Sequence, residues 1–439
     1  MNQVFLAIVA VSFVTAIFAG TMGDVSAAAL DSAKGAVDLS LSLIGYMALF
    51  LGVMKVAEVA GILRLLARAI EPVMVRLFPE VPANHPAMGA MILNISANML
   101  GLANAATPFG IKAIQELDTL NEEKGTATNA MVLFLAINTS GLALLPTGVV
   151  GVRAANGSAD PWGIMAPTLA ATACSTIAGI LAAKTLCRLP MFARTSPAPS
   201  RAAVVGKTPS LPGLEAESTW AVRGLSIFLS LSLLALVIPP LGAALLPESA
   251  TGAPGLRETF LSFSATAGDW VIPVLITSLL AFGYGRGVPV YETFVEGAKE
   301  GFETAVRIIP YLVAILVAVG MFRASGAMGF VTGGIGQLTS PLGLPGEVLP
   351  MALVRPLSGS GAFALMSELV TTHGPDSYIG YVASVLQGST ETTFYVLAVY
   401  FGAVGVTRAR HAVAAGLSAD FMGVIAGTAV CAALFGHLM

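Results

Sequence analysis

The strongest constraint on this chain is the recurrence of apolar stretches about twenty residues long, the length an α-helix needs to cross the hydrocarbon core of a bilayer. Such stretches lie near 2–20, 39–60, 126–150, 161–186, 220–246, 264–284, 305–324, 377–403 and 412–437. The composition agrees. The chain is 56% hydrophobic and 11% charged, where soluble domains carry about a quarter charged residues. Two further segments, 86–118 and 348–370, are apolar but full of Gly, Pro, Asn and Ser, and read as re-entrant helical hairpins that enter and leave on one side. The expected fold is therefore an all-α polytopic membrane protein with about nine transmembrane helices and two re-entrant hairpins. Residues 2–20 read as a retained first span rather than a signal peptide, because no positive n-region precedes the apolar run.

The chain also repeats itself. Asp31, Ala33, Lys34, Asp38, Ile44, Tyr46 and Gly61 match Glu296, Ala298, Lys299, Glu303, Ile309, Tyr311 and Gly326 at one constant offset, 265 residues. This register defines a first copy, 1–187, and a second, 263–439, joined by 188–262, which holds a Pro/Ser-rich cytoplasmic linker and the span at 220–246. That extra crossing turns the second copy over, giving an inverted-topology repeat of the kind that underlies alternating access in many secondary transporters. Lysine and arginine placement fits this count, since cytoplasmic loops collect them. With the amino terminus inside, Arg64, Arg68, Arg76, Lys124, Arg188, Arg194, Arg201, Lys207, Arg223, Arg286, Lys299, Arg408 and Arg410 fall on the cytoplasmic side, and Lys34, Arg153, Arg257 and Arg323 outside. A bacterial cytoplasmic (inner) membrane location follows, with the first hairpin opening inward and the second outward.

Polar residues inside apolar spans mark the candidate site, because a bilayer tolerates them only where they face protein or a water-filled cavity. The stretch 351–401 carries Arg355, Ser358, Ser360, Glu368, Gln387, Ser389, Thr390, Glu391, Thr392 and Thr393, and Pro356 to Gly361 interrupts its helix. The first hairpin carries Asn94, Ser96, Asn98, Asn104 and Thr107, with a helix end expected at Thr107-Pro108-Phe109-Gly110. Asn138, followed by Thr139, Ser140 and Pro146, is the weaker counterpart of 387–393, with a hydrogen-bonded kink as its simpler reading. The solute-binding candidates are Asn94, Ser96, Asn98, Asn104, Thr107, Asn138, Arg355, Ser358, Ser360, Gln387, Ser389 and Thr390. Glu391 is the ion-coupling candidate, because a carboxylate deep in a span must be protonated, paired or bound to a cation. Two structural alternatives stand beside these roles: the asparagines bond one another across helices, and Glu391 pairs with Arg355. Arg355 is also suited to an anionic solute.

Other features carry simpler expectations. Glu368 reads as a solvated end residue, Lys55 and Glu58 as a local ion pair, and Lys34 and Lys299 as parts of amphipathic segments lying along the membrane surface. Cys174, Cys187 and Cys431 read as buried thiols. No P-loop, dinucleotide fingerprint or metal-ligand spacing is present, so no cofactor, no metal and no nucleic acid partner are expected. An intramembrane serine hydrolase built on Ser358 or Ser360 lacks a histidine base within a span; the chain is not expected to be an enzyme.

At these residues the chain resembles a known family. The run Leu93 to Gly110 is similar to spore maturation protein A. Arg355 to Ala362, Gln387 to Tyr395 and Arg408-Ala409-Arg410 are similar to spore maturation protein B, so the two look fused in one chain. The resemblance implies a nucleoside recognition, or Gate, domain, named by similarity to parts of concentrative nucleoside transporters and ferrous iron transporters. Thr390-Glu391 looks like the polar hairpin tip with which nucleoside carriers hold their base. The expected function is a secondary transporter of a small polar solute, coupled to Na+ or H+, with membrane lipid around it and a homo-oligomer left open. The alternative is a membrane scaffold that binds partner proteins or lipids and moves nothing.

Overall fold

A computed structural model describes residues 2–101, 103–197, 273–329, 339 and 343–438, with side chains described for all of these except 2–4, 103–105, 307, 308 and 311. The span expected at 220–246 and most of 188–262 lie outside the described residues. What is described is helical, with one isolated bridge between Thr126 and Arg408.

The first part of the chain forms α1 (Asn2–Ala19), α2 (Met22–Val59), α3 (Ile62–Leu77), α4 (Pro86–Met99), α5 (Ala103–Thr119), α6 (Asn129–Thr139), α7 (Thr147–Ala155), α8 (Met165–Leu186) and the short α9 (Pro190–Ala193). The later part forms α10 (Pro273–Gly285), then α11 (Val290–Ala324), α12 (Leu349–Val354), α13 (Gly359–His373), α14 (Tyr378–Ser389), α15 (Thr393–Gly402) and α16 (Ala412–Phe435). Among these, α2, α8 and α16 are long and apolar enough to cross a bilayer unbroken.

α2 and α11 overturn one expectation. The segments holding Lys34 and Lys299 are not separate surface helices; each runs without interruption into the apolar stretch that follows, giving helices of 38 and 35 residues. In α2 the reason is the absence of a stop signal, since it has no proline and its internal glycines keep helical backbone angles; α11 runs on through Pro310. The stops come at equivalent places, Gly61 (φ 89°) and Gly326 (φ 83°). Both are left-handed glycines two residues past the last helical residue, which closes a helix end at no steric cost.

These two helices make the most extensive helix contact in the described structure, and glycines set their closeness. A Cβ added at Gly297 would lie 2.5 Å from the Lys55 Cβ, and one at Gly320 would lie 3.2 Å from the Ser32 Cβ. Shifting 32 and 55 by the repeat offset gives 297 and 320. The contact is thus reciprocal, as a two-fold axis requires. α8 and α16 pack the same way. Gly179 approaches Ala419, Gly427 approaches Ala171, and Gly423 faces Ser175, with the matching triplets Ile177-Ala178-Gly179 and Ile425-Ala426-Gly427 in equivalent places on the two helices. Both pairs are antiparallel, so the axis relating them is perpendicular to the helices. For spanning helices it lies in the membrane plane, which is the geometry of inverted halves.

The loops repeat this exchange. Arg153, fully buried at the end of α7, donates to the Pro375 carbonyl, lies 3.0 Å from Asp376 Oδ1 and stacks over the Tyr381 ring at 4.4 Å. On the other side Arg410 donates to the Ala127 carbonyl (3.0 Å) and to Asn129 Oδ1 (2.9 Å). Each arginine therefore clamps the loop that starts a broken helix of the opposite half. Those helices begin on hydroxyl caps, Thr128 accepting from Met131 N and Ser377 from Gly380 N.

Candidate functional site

The site grows from two interrupted helices. After α6 the chain leaves helical geometry at Gly141, which takes φ 54°, and passes Pro146, which has no amide proton to give, before α7 starts at Thr147. After α14 it is extended at Thr390 (φ −141°, ψ 162°) and Thr392 (φ −87°, ψ 98°) before α15 starts at Thr393. β-branched hydroxyl residues suit that extended stretch. The kink considered at Asn138 is thus a full break, and the two breaks touch. Glu391 N donates to the Thr139 carbonyl at 2.8 Å, and a Cβ on Gly141 would fall 2.9 Å from Glu391 Cγ.

Arg355 holds the second break. It is 5% exposed and donates to the carbonyls of Gln387 (3.2 Å) and Thr390 and to Thr392 Oγ1 (3.3 Å). The two carbonyls are acceptors released when a helix stops, and a planar guanidinium serves several groups at once. Glu391 lies 3.8 Å from Arg355, but its side chain is 53% exposed. It is therefore half-exposed on the protein, not enclosed by packed side chains. Around them, Ser358 caps α13 by accepting from Gly361 N (3.0 Å), and Ser360 is 3.4 Å from it. Ser389 Oγ donates to its own helix at Leu386 (3.1 Å). Gln387 Oε1 is buried without a partner.

The first hairpin supplies a second polar cluster. Asn98 donates to Asn138 Oδ1 (3.0 Å), and the Tyr400 hydroxyl donates to the same oxygen (3.2 Å) while accepting from Asn94 Nδ2 (3.1 Å). Asn94 also donates to the Ala106 carbonyl across the hairpin at 2.8 Å, and its Oδ1 is unpartnered. Ser96 is fully buried and bonds back to Ile92. Thr107 is half-buried on α5; the Asn104 side chain lies outside the described residues. The helix end expected at Thr107 to Gly110 is not there. α5 runs through Pro108, its sixth residue, because the hairpin turns earlier, at Gly101 (φ 72°), and the helix is already under way when the proline is reached. Gly110 instead lets Tyr400 approach.

Two residues of the centre were not anticipated, Tyr400 and Asp420. Asp420 sits in the middle of α16, 4% exposed, accepting from Thr393 Oγ1 at 2.6 Å. Its signal was present as the one charged residue in a 24-residue apolar helix. Two smaller expectations also fail. Glu368 is paired with Arg323 rather than free in solvent, because α13 packs beside α11. Cys174 is exposed and Cys187 half-buried, leaving Cys431 as the buried thiol. Lys55 does pair with Glu58 (3.7 Å), and more closely with Glu300 of the facing helix (3.0 Å).

Beside the start of α7 lies a cavity of about 570 Å³. Its wall includes Gly101 at the hairpin turn, Thr147 and Gly148 at the start of α7, Phe363 of α13, and Lys55, Glu300 and Glu303 from the long helices. The start of α7 thus adjoins a space large enough for a small solute.

Known proteins share these sequences. Spore maturation protein B of Bacillus subtilis is 50% identical over 166 residues, 38% of this chain and 93% of that protein. Spore maturation protein A of the same organism is 40% identical over 181 residues, 41% of this chain and 92% of that protein. Among solved structures, the YdaH transporter of Alcanivorax borkumensis aligns over 96% of this chain and 88% of its own, at 15% identity and a TM-score of 0.39, too distant to build on. The Gate family, described as nucleoside recognition, matches residues 40–156 and 305–407, the stretches that contain both hairpins and both helix breaks, and this multi-pass membrane protein belongs to that family.

Proposed function

We propose that this chain is a secondary transporter of a small polar solute across the bacterial cytoplasmic membrane, with its amino terminus inside. The observation that carries the reading is the meeting of two helix breaks, joined from Glu391 N to the Thr139 carbonyl, the first of which leads into α7 at the wall of a cavity of about 570 Å³. Interrupted helices that present backbone groups near mid-membrane are how such carriers bind solutes and ions. Nucleosides are the first class to try, since the family is described by nucleoside recognition. Asn94, Asn98, Asn138, Ser360, Gln387 and Thr390 supply hydrogen bonds when the breaks part. Glu391, half-exposed and within reach of Arg355, handles the coupling ion, Na+ or H+. The two hairpins would then be re-entrant, one opening to each side. No catalysis is assigned.

The test is uptake by proteoliposomes of nucleosides, carboxylates and phosphates under an imposed proton or sodium gradient. Wild type should accumulate one class of solute, and Glu391→Gln should not. If no class moves, or Glu391→Gln moves it unchanged, the reading fails.

A scaffold that moves nothing has one observation in its favour: Asn94, Tyr400, Asn138 and Asn98 already hydrogen-bond one another. The same uptake assay separates the two.

A further inference from the structure

Asp420 is the one carboxylate packed inside α16, and the geometry points to it as a proton-binding site: a neutral carboxylic acid whose proton sits on Oδ1 and whose loss loosens the second helix break. This deepens the transporter reading by naming the coupling ion as H+, and it rests on that reading for its use, though not for its existence.

Three observations carry it. First, Asp420 is 4% exposed and only one of its oxygens is satisfied: Oδ2 accepts from Thr393 Oγ1 at 2.6 Å, while Oδ1 is buried with no partner. An ionised carboxylate offers about four acceptor sites, and leaving them unfilled away from water is costly. A protonated one needs far fewer. Second, among the described residues no cation neutralises it by contact. The charged groups facing it are Arg355 and Glu391, opposite in sign, and Arg355 already spends its terminal nitrogens on Gln387, Thr390 and Thr392. Two neighbouring hydroxyls are already engaged elsewhere: Ser175 of α8 donates to the Ala419 carbonyl, and Thr139 of α6 donates to the Ala136 carbonyl. Third, a bound metal ion would need several anionic or carbonyl ligands, and among the described residues no cluster of three His, Cys, Asp or Glu exists.

The position gives the proton leverage. Thr393 is the first residue of α15, so its bond to Asp420 pins the far edge of the break to α16. When the O–H bond at Oδ1 breaks and the proton passes to water, a full charge appears in a dry place. The nearest cation to answer it is Arg355, whose Nε is unpartnered. Drawing the guanidinium toward Asp420 takes it from the carbonyls that hold the break shut.

Infrared difference spectroscopy on the purified full chain in lipid tests this without any solute. At neutral pH wild type should show the carbonyl stretch of a protonated carboxylic acid that is missing in Asp420→Asn, shifts in Thr393→Val, which removes the donor but keeps the acid, and is unmoved when sodium replaces potassium. Absence of the band in wild type, its persistence in Asp420→Asn, or its loss on adding sodium overturns the proposal. A band that behaves as expected in a protein that moves no solute would leave the proton site standing and sink the transporter reading instead.

Discussion

The amide of Glu391 donates to the carbonyl of Thr139 across 2.8 Å, so the end of α6 and the gap between α14 and α15 share a hydrogen bond although 252 residues separate them in sequence. Neither break could be this close if position 141 carried a side chain. Gly141 has φ 54°, and an added Cβ would fall 2.9 Å from Glu391 Cγ. Gly141→Ala should therefore cost about 1–3 kcal/mol through strain and overpacking together. Thermal unfolding in detergent reads the loss, and an unchanged melting temperature would mean that the breaks do not adjoin.

Arg153 is fully buried and its charge is met by Asp376 at 3.0 Å, the Pro375 carbonyl and the Tyr381 ring. Arg153→Ala strands that partner and empties a large volume, so a loss of about 3–5 kcal/mol is expected. Arg153→Lys should recover little, since one ammonium cannot replace the fork that also reaches Ser158 and the Asp160 carbonyl. Melting temperatures of the two variants decide it.

Close packing of α2 on α11 gives a pair of glycine substitutions with opposite signs. Gly297→Ala puts a methyl 2.6 Å from the Leu51 carbonyl and should destabilise by about 1–3 kcal/mol. Gly45→Ala meets nothing within 4 Å and should stabilise by about 0.5–1 kcal/mol, because alanine loses less freedom in a helix. Chemical or thermal unfolding of both variants checks the sign.

His411 lies just before α16, and burial, reinforced by the neighbouring Arg410 charge, pushes its imidazole down to about 4 from the usual 6.5. The unfolded chain takes up a proton near 6.5 and the folded one only near 4. Stability from this group is therefore intact above pH 6.5 and is lost as pH falls toward 4, by at most about 3 kcal/mol. His411→Phe, which keeps a ring against Phe192, should flatten the melting temperature across that window. An equally steep acid fall in the variant would assign the effect elsewhere.

How much of this was legible before the structure follows from the kind of signal each residue carries. Apolar run length and the offset of 265 locate the long helices because hydropathy and repetition are local properties of sequence. The polar runs at 94–107 and 387–393 stand out for the same reason. What local reading misses is decided by partners far along the chain. Lys34 looked like a surface residue because charge usually ends a span, yet no breaker separates it from Leu43. Pro108 looked like a helix end, but its depth in α5 depends on where the hairpin turns. Tyr400 looked like one aromatic among several until Asn94 and Asn138 came to its hydroxyl, and Asp420 was overlooked although a carboxylate in an apolar helix is itself a signal.

The claim on which the rest depends is that the two halves are inverted in the membrane, and cysteine accessibility tests it most directly. With Cys174, Cys187 and Cys431 replaced, single cysteines at Arg64 and Gly329, exposed positions related by the repeat offset just past α2 and α11, would be challenged in intact cells with a membrane-impermeant maleimide. Gly329→Cys should label from outside and Arg64→Cys only after the membrane is opened. Labelling of both from the same side would contradict the inverted arrangement.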